Sequence, residues 1–226
     1  MKIIRRSFEG AMLLRNAAVT DSAGGAVIVD GGQEYIHGVA SVTGIEYKLL
    51  ESEQYIFVEE ISKGAFEVAD LSDVVVLFNH DPSQILGRTT AGSALVYVRD
   101  GNLHYEFSVN QRTTWGQSVV ELIKGGEVRQ SSFGFTVPEG GDSWEDVKLA
   151  DGRLRIKRTI NKIDKVWDVS PVTWPASNLT SVGVSLDTLD ELERFVHAAQ
   201  DLQCRQGEAL LICRLQLLTN RKNLLR

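Results

Sequence analysis

The sequence predicts a mainly β protein with helices, an α+β chain of many short strands followed by a helical C-terminal tail. Three observations carry that expectation. β-Branched and aromatic runs recur between Gly, Ser and Asp punctuation up to about Val184. Asp100-Gly101 separates two alternating segments, as a tight hairpin turn does. Beyond Val184 the apolar spacing switches from period two to the helical period.

Taken in order, "EYIHGVASV" (34–42), "YIFVEEI" (55–61) and "VVVLFNH" (74–80) read as strands, and "SALVYVRDGNLHYEFSV" (93–109) as the clearest hairpin. One internal helix is expected at roughly Thr114 to Lys124, with Val119, Val120, Leu122 and Ile123 supplying apolar contacts and Gly125-Gly126 stopping it. "RLRIKRTI" (153–160) alternates Leu154, Ile156 and Arg158 against basic partners, as a half-buried strand does. So many short strands predict a closed or nearly closed sheet. In the tail, Thr188 and Glu191 match a capping box, and Leu192, Phe195, Val196, Ala199 and Leu202 follow at helical spacing. Gly207 interrupts the pattern, and "EALLICRLQLLTNRKNLLR" (208–226) then carries leucines on more than one face, which must pack on something. The expected division is therefore a β domain over 1–184 and a helical tail over 185–226.

Composition narrows the function classes. Hydrophobic residues at 43% and charged residues at 24% are ordinary for a globular chain, and the net charge of -6 offers no footprint for nucleic acid. Basic residues do not cluster as an anionic membrane would require, and no apolar run reaches spanning length. The two cysteines, Cys204 and Cys213, lack metal-ligand spacing, so neither a zinc site nor a disulfide framework is expected, and a cytosolic setting fits. The apolar stretch of "MKIIRRSFEGAMLL" is interrupted by Glu9 and too short for a signal-peptide core. The glycine pairs Gly24-Gly25 and Gly31-Gly32 read as turns, and no phosphate-cradling loop is present.

Three segments carry candidate chemistry. His80, one of four histidines, stands at the end of a strand before Asp81-Pro82, where the ordinary explanation is a polar residue satisfied by that turn. Its imidazole is also suited to accept a proton near neutral pH. In "EVRQSSFGFTV" (127–137), Ser131 and Ser132 read either as small strand residues or as a hydroxyl nucleophile awaiting a base. On a strand the two point to opposite faces, Ser131 with Phe133 and Phe135, Ser132 with Gly134. The more open glycine side favours Ser132. In "DKVWDVSPVTWPASNLTSV" (164–182), Asp168 lies in an apolar, proline-bounded run. There it is either a solvated strand-edge acid or a carboxylate paired with an imidazole, and Asp164 among lysines is the weaker alternative. A G-x-S-x-G elbow is absent, which disfavours an α/β-hydrolase.

In order along the chain, "GAFEVADLSDVVVLFNHDPSQILGRT", "DGNLHYEFSV", "VRQSSFGFTV" and "WDVSPVTWPASNLTSV" resemble the landmarks of the phage prohead protease family over roughly Tyr35 to Val184. These are capsid-maturation serine proteases, similar in fold to the herpesvirus assembly proteases, so the resemblance implies an antiparallel β-barrel with surrounding helices. It further implies His80 as the base, Ser132 as the nucleophile and Asp168 as the acid, at a place where many members carry glutamate. No cofactor is implied. The implied partners and substrates are the scaffolding protein or a scaffold-like segment of the major capsid protein, cleaved inside the immature head in the host cytoplasm, with self-cleavage typical. The tail is expected to serve scaffold docking or self-association. A non-catalytic capsid assembly module on the same fold is the alternative.

Overall fold

The computed structural model describes residues 4–8, 26–30, 33–108, 110, 112–173 and 194. Among these the chain is mainly β, with one α-helix, and its strands fall into three sheets. The first has the order β1 (Ile4–Phe8), β10 (Gln130–Thr136), β13 (Lys165–Val172), β6 (Val75–Phe78), β7 (Asp81–Arg88). The second runs β11 (Asp142–Lys148), β12 (Leu154–Ile160), β5 (Tyr55–Ile61), β4 (Glu46–Glu51). The third runs β2 (Ala26–Asp30), β3 (Gln33–Ser41), β9 (Asn102–Ser108), β8 (Ala94–Arg99).

The barrel expected from the sequence is not formed by the described strands. Closure requires the two end strands of a sheet to pair with each other. Here β1 and β7, β11 and β4, and β2 and β8 end their sheets without doing so. Pairing is also not purely antiparallel, because β12 runs parallel to β5 and β13 parallel to β6. The expected helical tail, 185–226, lies outside the described residues except for Arg194.

Local chemistry accounts for the elements that the sequence made visible. Asp100 and Gly101 both adopt positive φ (51° and 80°), giving the twist that joins β8 to β9 in a two-residue hairpin. Helix α1 (Thr114–Lys124) starts where the Thr113 hydroxyl accepts from the Gly116 N–H at 3.2 Å. It ends at Gly125 and at Gly126, whose φ of 78° suits a residue without a side chain. The helix buries Val119, Val120 and Ile123 in the main core.

That core joins residues of the first and third sheets, among them Ile36, Tyr105, Phe107, Val76, Phe133, Phe135 and Val169. Phe133 and Phe135 stack with ring centroids 4.6 Å apart, both fully buried. Each such ring contributes about 1.5–3 kcal/mol by leaving water. The main core fixes β10 and β13 from one side and leaves their other face for polar residues.

Candidate active site

The site is built on β10 and β13, two central neighbours in the five-stranded sheet. Their antiparallel register sets Ser132 opposite Ser170 and Gly134 opposite Asp168. Residues directly opposite, and residues two apart on one strand, share a face. Ser132, Gly134, Asp168 and Ser170 therefore form one polar patch, in which the glycine contributes no side chain. The register shifts just beyond, between Gly134 and Phe135. On the other face Ser131 is turned into the core, where its hydroxyl meets the Tyr105 hydroxyl at 2.9 Å. Burial pushes the Tyr105 phenol well above its ordinary pKa, with the Ser131 hydrogen bond opposing that shift. The alternation expected of the two serines is thus realised, and Ser131 is committed to packing.

His80 reaches the patch from the turn between β6 and β7. The sequence reading assigned the turn to Asp81-Pro82, but those residues already belong to β7. The turn residues are Asn79 and His80, with φ of 53° and 59°, and Phe78 pairs with Asp81 across them. Two consecutive left-handed residues make the tight turn whose twist matches a hairpin. Without glycine such a turn costs about 1 kcal/mol per residue, least for Asn, Asp and His. Asn79 offsets that cost by three hydrogen bonds to the end of β13. Its N–H donates to the Pro171 carbonyl at 3.0 Å, its amide donates to the Thr173 hydroxyl at 3.2 Å, and its carbonyl accepts from the Thr173 N–H at 2.8 Å.

Held there, the imidazole bridges two strands. Nε2 lies 2.5 Å from the Ser132 hydroxyl oxygen, and Nδ1 is hydrogen-bonded to Asp168 Oδ1. With the ring proton on Nδ1, the serine O–H donates to Nε2 and Nδ1–H donates to the carboxylate. The Ser170 hydroxyl completes the cluster at 3.2 Å from Asp168 Oδ1, 3.3 Å from the His80 main-chain nitrogen and 3.4 Å from Nδ1. Ser132 is fully buried and the Asp168 side chain 5% exposed, while that of His80 keeps 16% exposure. Such a chain can pass a proton from hydroxyl to imidazole and hold the resulting imidazolium against a negative charge.

The three residues singled out in the sequence are thus in contact, while the alternative acid stands apart. Asp164 accepts from the Thr136 hydroxyl at 3.4 Å. Asp168 is not at a sheet edge as its solvated reading required, since β6 covers one side of β13 and β10 the other. Sequence reasoning missed Ser170, Asn79 and Thr173. The alternation of "DVS" alone placed Ser170 beside Asp168, and nothing local announced the other two.

Away from this patch, His37 and His104 stack on the third sheet, with His104 Nδ1 and His37 Nε2 3.3 Å apart. Burial, and then the nearby Arg99 charge, lower the His104 pKa from its ordinary value. Among the described residues no group of three or more His, Cys, Asp or Glu side chains could hold a metal ion. No described helix is long and apolar enough to cross a membrane.

No curated protein and no solved structure matches the chain. A family model described as caudovirus prohead serine protease matches residues 26–195, a span that takes in β2 through β13. Because that span is most of the sequence, the chain belongs to the caudovirus prohead serine proteases, the enzymes of bacteriophage capsid maturation.

Proposed function

We propose that the chain is a serine endopeptidase of the Ser-His-Asp type, with Ser132 as nucleophile, His80 as base and Asp168 as the orienting acid. The observation that carries this reading is the unbroken hydrogen-bond chain from the Ser132 hydroxyl through both ring nitrogens of His80 to Asp168. Ser132 Oγ attacks the scissile carbonyl carbon while its proton passes to His80 Nε2. Asp168 keeps the ring proton on Nδ1 and balances the imidazolium, and backbone amides receive the charge on the carbonyl oxygen. His80 then gives its proton to the leaving amine, and a water activated by the same nitrogen releases the acyl group from Ser132.

Membership of the prohead protease family supports the further reading of substrate and place. The chain acts inside the immature head in the host cytoplasm, on the scaffolding protein or a scaffold-like segment of the major capsid protein, and on itself. In this reading 1–184 is the protease domain and 185–226 a tail for scaffold docking or self-association. The test is a fluorophosphonate probe applied to the full chain. Wild type and Ser131→Ala become labelled and Ser132→Ala does not. Co-expression with the major capsid protein then yields mass-mapped cleavage in wild type alone. Labelling that survives in Ser132→Ala would falsify the assignment, and a wild type that never labels would point to the non-catalytic assembly module.

A further inference from the structure

We propose that Ser170 is a positioning residue that ties the His80 turn to the Asp168 carboxylate. The proposal rests on the reading of Ser132, His80 and Asp168 given above. A serine hydroxyl has one proton to give and two lone pairs with which to accept. Its neighbours decide how these are used. The His80 main-chain N–H, at 3.3 Å, is a donor, and Nδ1–H is a donor already directed at Asp168. The carboxylate Oδ1, at 3.2 Å, is an acceptor. The Ser170 proton therefore goes to Asp168, and its oxygen faces the two N–H groups of His80, main-chain and ring, the latter at 3.4 Å.

This arrangement does two things that a merely small residue would not. In a two-residue hairpin the ladder between the flanking residues leaves the second turn residue's amide without a backbone partner. Ser170 supplies that partner for His80, so the strained turn and the acid are held by one oxygen. It also gives the carboxylate another donor, which fixes the oxygen that Nδ1–H must meet. Ser170 is fully buried and stands directly opposite Ser132 in the β10–β13 register. Loss of its hydroxyl leaves a desolvated amide and a carboxylate short of one donor, in the place where ring orientation sets the rate.

The experiment measures fluorophosphonate labelling of the full chain at saturating and sub-saturating probe, separating the limiting rate from probe binding. Ser170→Ala is expected to lower the limiting rate about tenfold to a hundredfold, with probe binding unchanged within about twofold. Thr and Val have nearly the same shape, so the pair Ser170→Thr and Ser170→Val isolates the hydroxyl from any strain of the extra methyl. Ser170→Thr is expected to label at least about tenfold faster than Ser170→Val. Equal rates for that pair, or wild-type rates in Ser170→Ala, overturn the proposal. Ser132→Ala separates the two levels of the argument. If it still labels, the nucleophile assignment has failed. If it is silent while the Ser170 variants behave as wild type, only the role of Ser170 is lost.

Discussion

Replacing Asp168 by asparagine removes one negative charge from a cluster that is otherwise unaltered in shape. The carboxylate accepts from His80 Nδ1 and from the Ser170 hydroxyl, and its residue is 4% exposed. An asparagine can meet the ring in two ways. If its NH2 faces Nδ1, the ring proton must sit on Nε2, where it blocks transfer from Ser132. If its carbonyl faces Nδ1, the tautomer survives but the imidazolium formed during attack has lost its counter-charge. A unit charge about 4 Å away at an effective dielectric of about 20 is worth roughly 4 kcal/mol. At about 1.4 kcal/mol per factor of ten, that is about three powers of ten in rate. Adding the tautomer penalty, Asp168→Asn is expected to lower the fluorophosphonate labelling rate by about 10³- to 10⁴-fold. The check is the labelling rate of the purified variant beside its melting curve. A rate within about fivefold of wild type, with folding intact, would refute the idea that this carboxylate serves the serine.

Three further outcomes are expected. Asn79→Gly keeps the left-handed backbone but removes the side-chain clamp on Thr173, whereas Asn79→Ala loses the clamp and adds backbone strain. The alanine variant should be the less stable by about 1 kcal/mol in urea melts, and both should label more slowly than wild type. Ser131→Ala should label normally yet unfold about 1–3 kcal/mol more easily, because the buried Tyr105 hydroxyl loses its 2.9 Å partner; unchanged stability would contradict that account. The His104 pKa is lowered in the fold, so the unfolded chain takes up its proton first as pH falls. Its contribution is complete above the ordinary value of 6.5 and is lost as pH drops through the lower folded value. The melting temperature should therefore fall on acidification from about pH 7 to about pH 5, and His104→Phe should flatten that slope. A slope identical in the variant would count against His104 as its source.

What the sequence made legible was local. The Asp100-Gly101 hairpin announced itself because glycine tolerates the turn's positive φ. α1 did so because its apolar spacing ran up to two glycines, while its Thr113 cap emerged only in the structure. The Ser131/Ser132 alternation followed from the two-residue repeat of a strand, and it allocated one hydroxyl to the core and one to the site. The turn that carries His80 was displaced by two residues in the reading because Asn79-His80 lacks the glycine that usually marks it. What makes it tenable, the clamp on Thr173, is 94 residues away in sequence. The same distance hid the surroundings of Asp168. Its strand is central only because β6 lies parallel to it, a pairing that no neighbouring residue encodes. The barrel came from the family resemblance and the nearly closed sheet from strand counting, and neither carries information about which of the described strands become sheet ends. β11, with Trp144 and Val147 among Asp142, Ser143, Glu145, Asp146 and Lys148, was too polar to be read as a strand at all.

One pairing in the first sheet reaches further than its length suggests. β10 is an interior strand because Ile4–Phe8 lies against it, with Ser7 beside Ser132. Trimming the chain ahead of Glu9 would leave the amides and carbonyls along one flank of β10 with no ladder partner. Such a flank invites a foreign strand to dock. Shortened versions of this protein made for convenience would thus risk self-adhesion at the very segment that bears Ser132, and tags are better carried elsewhere.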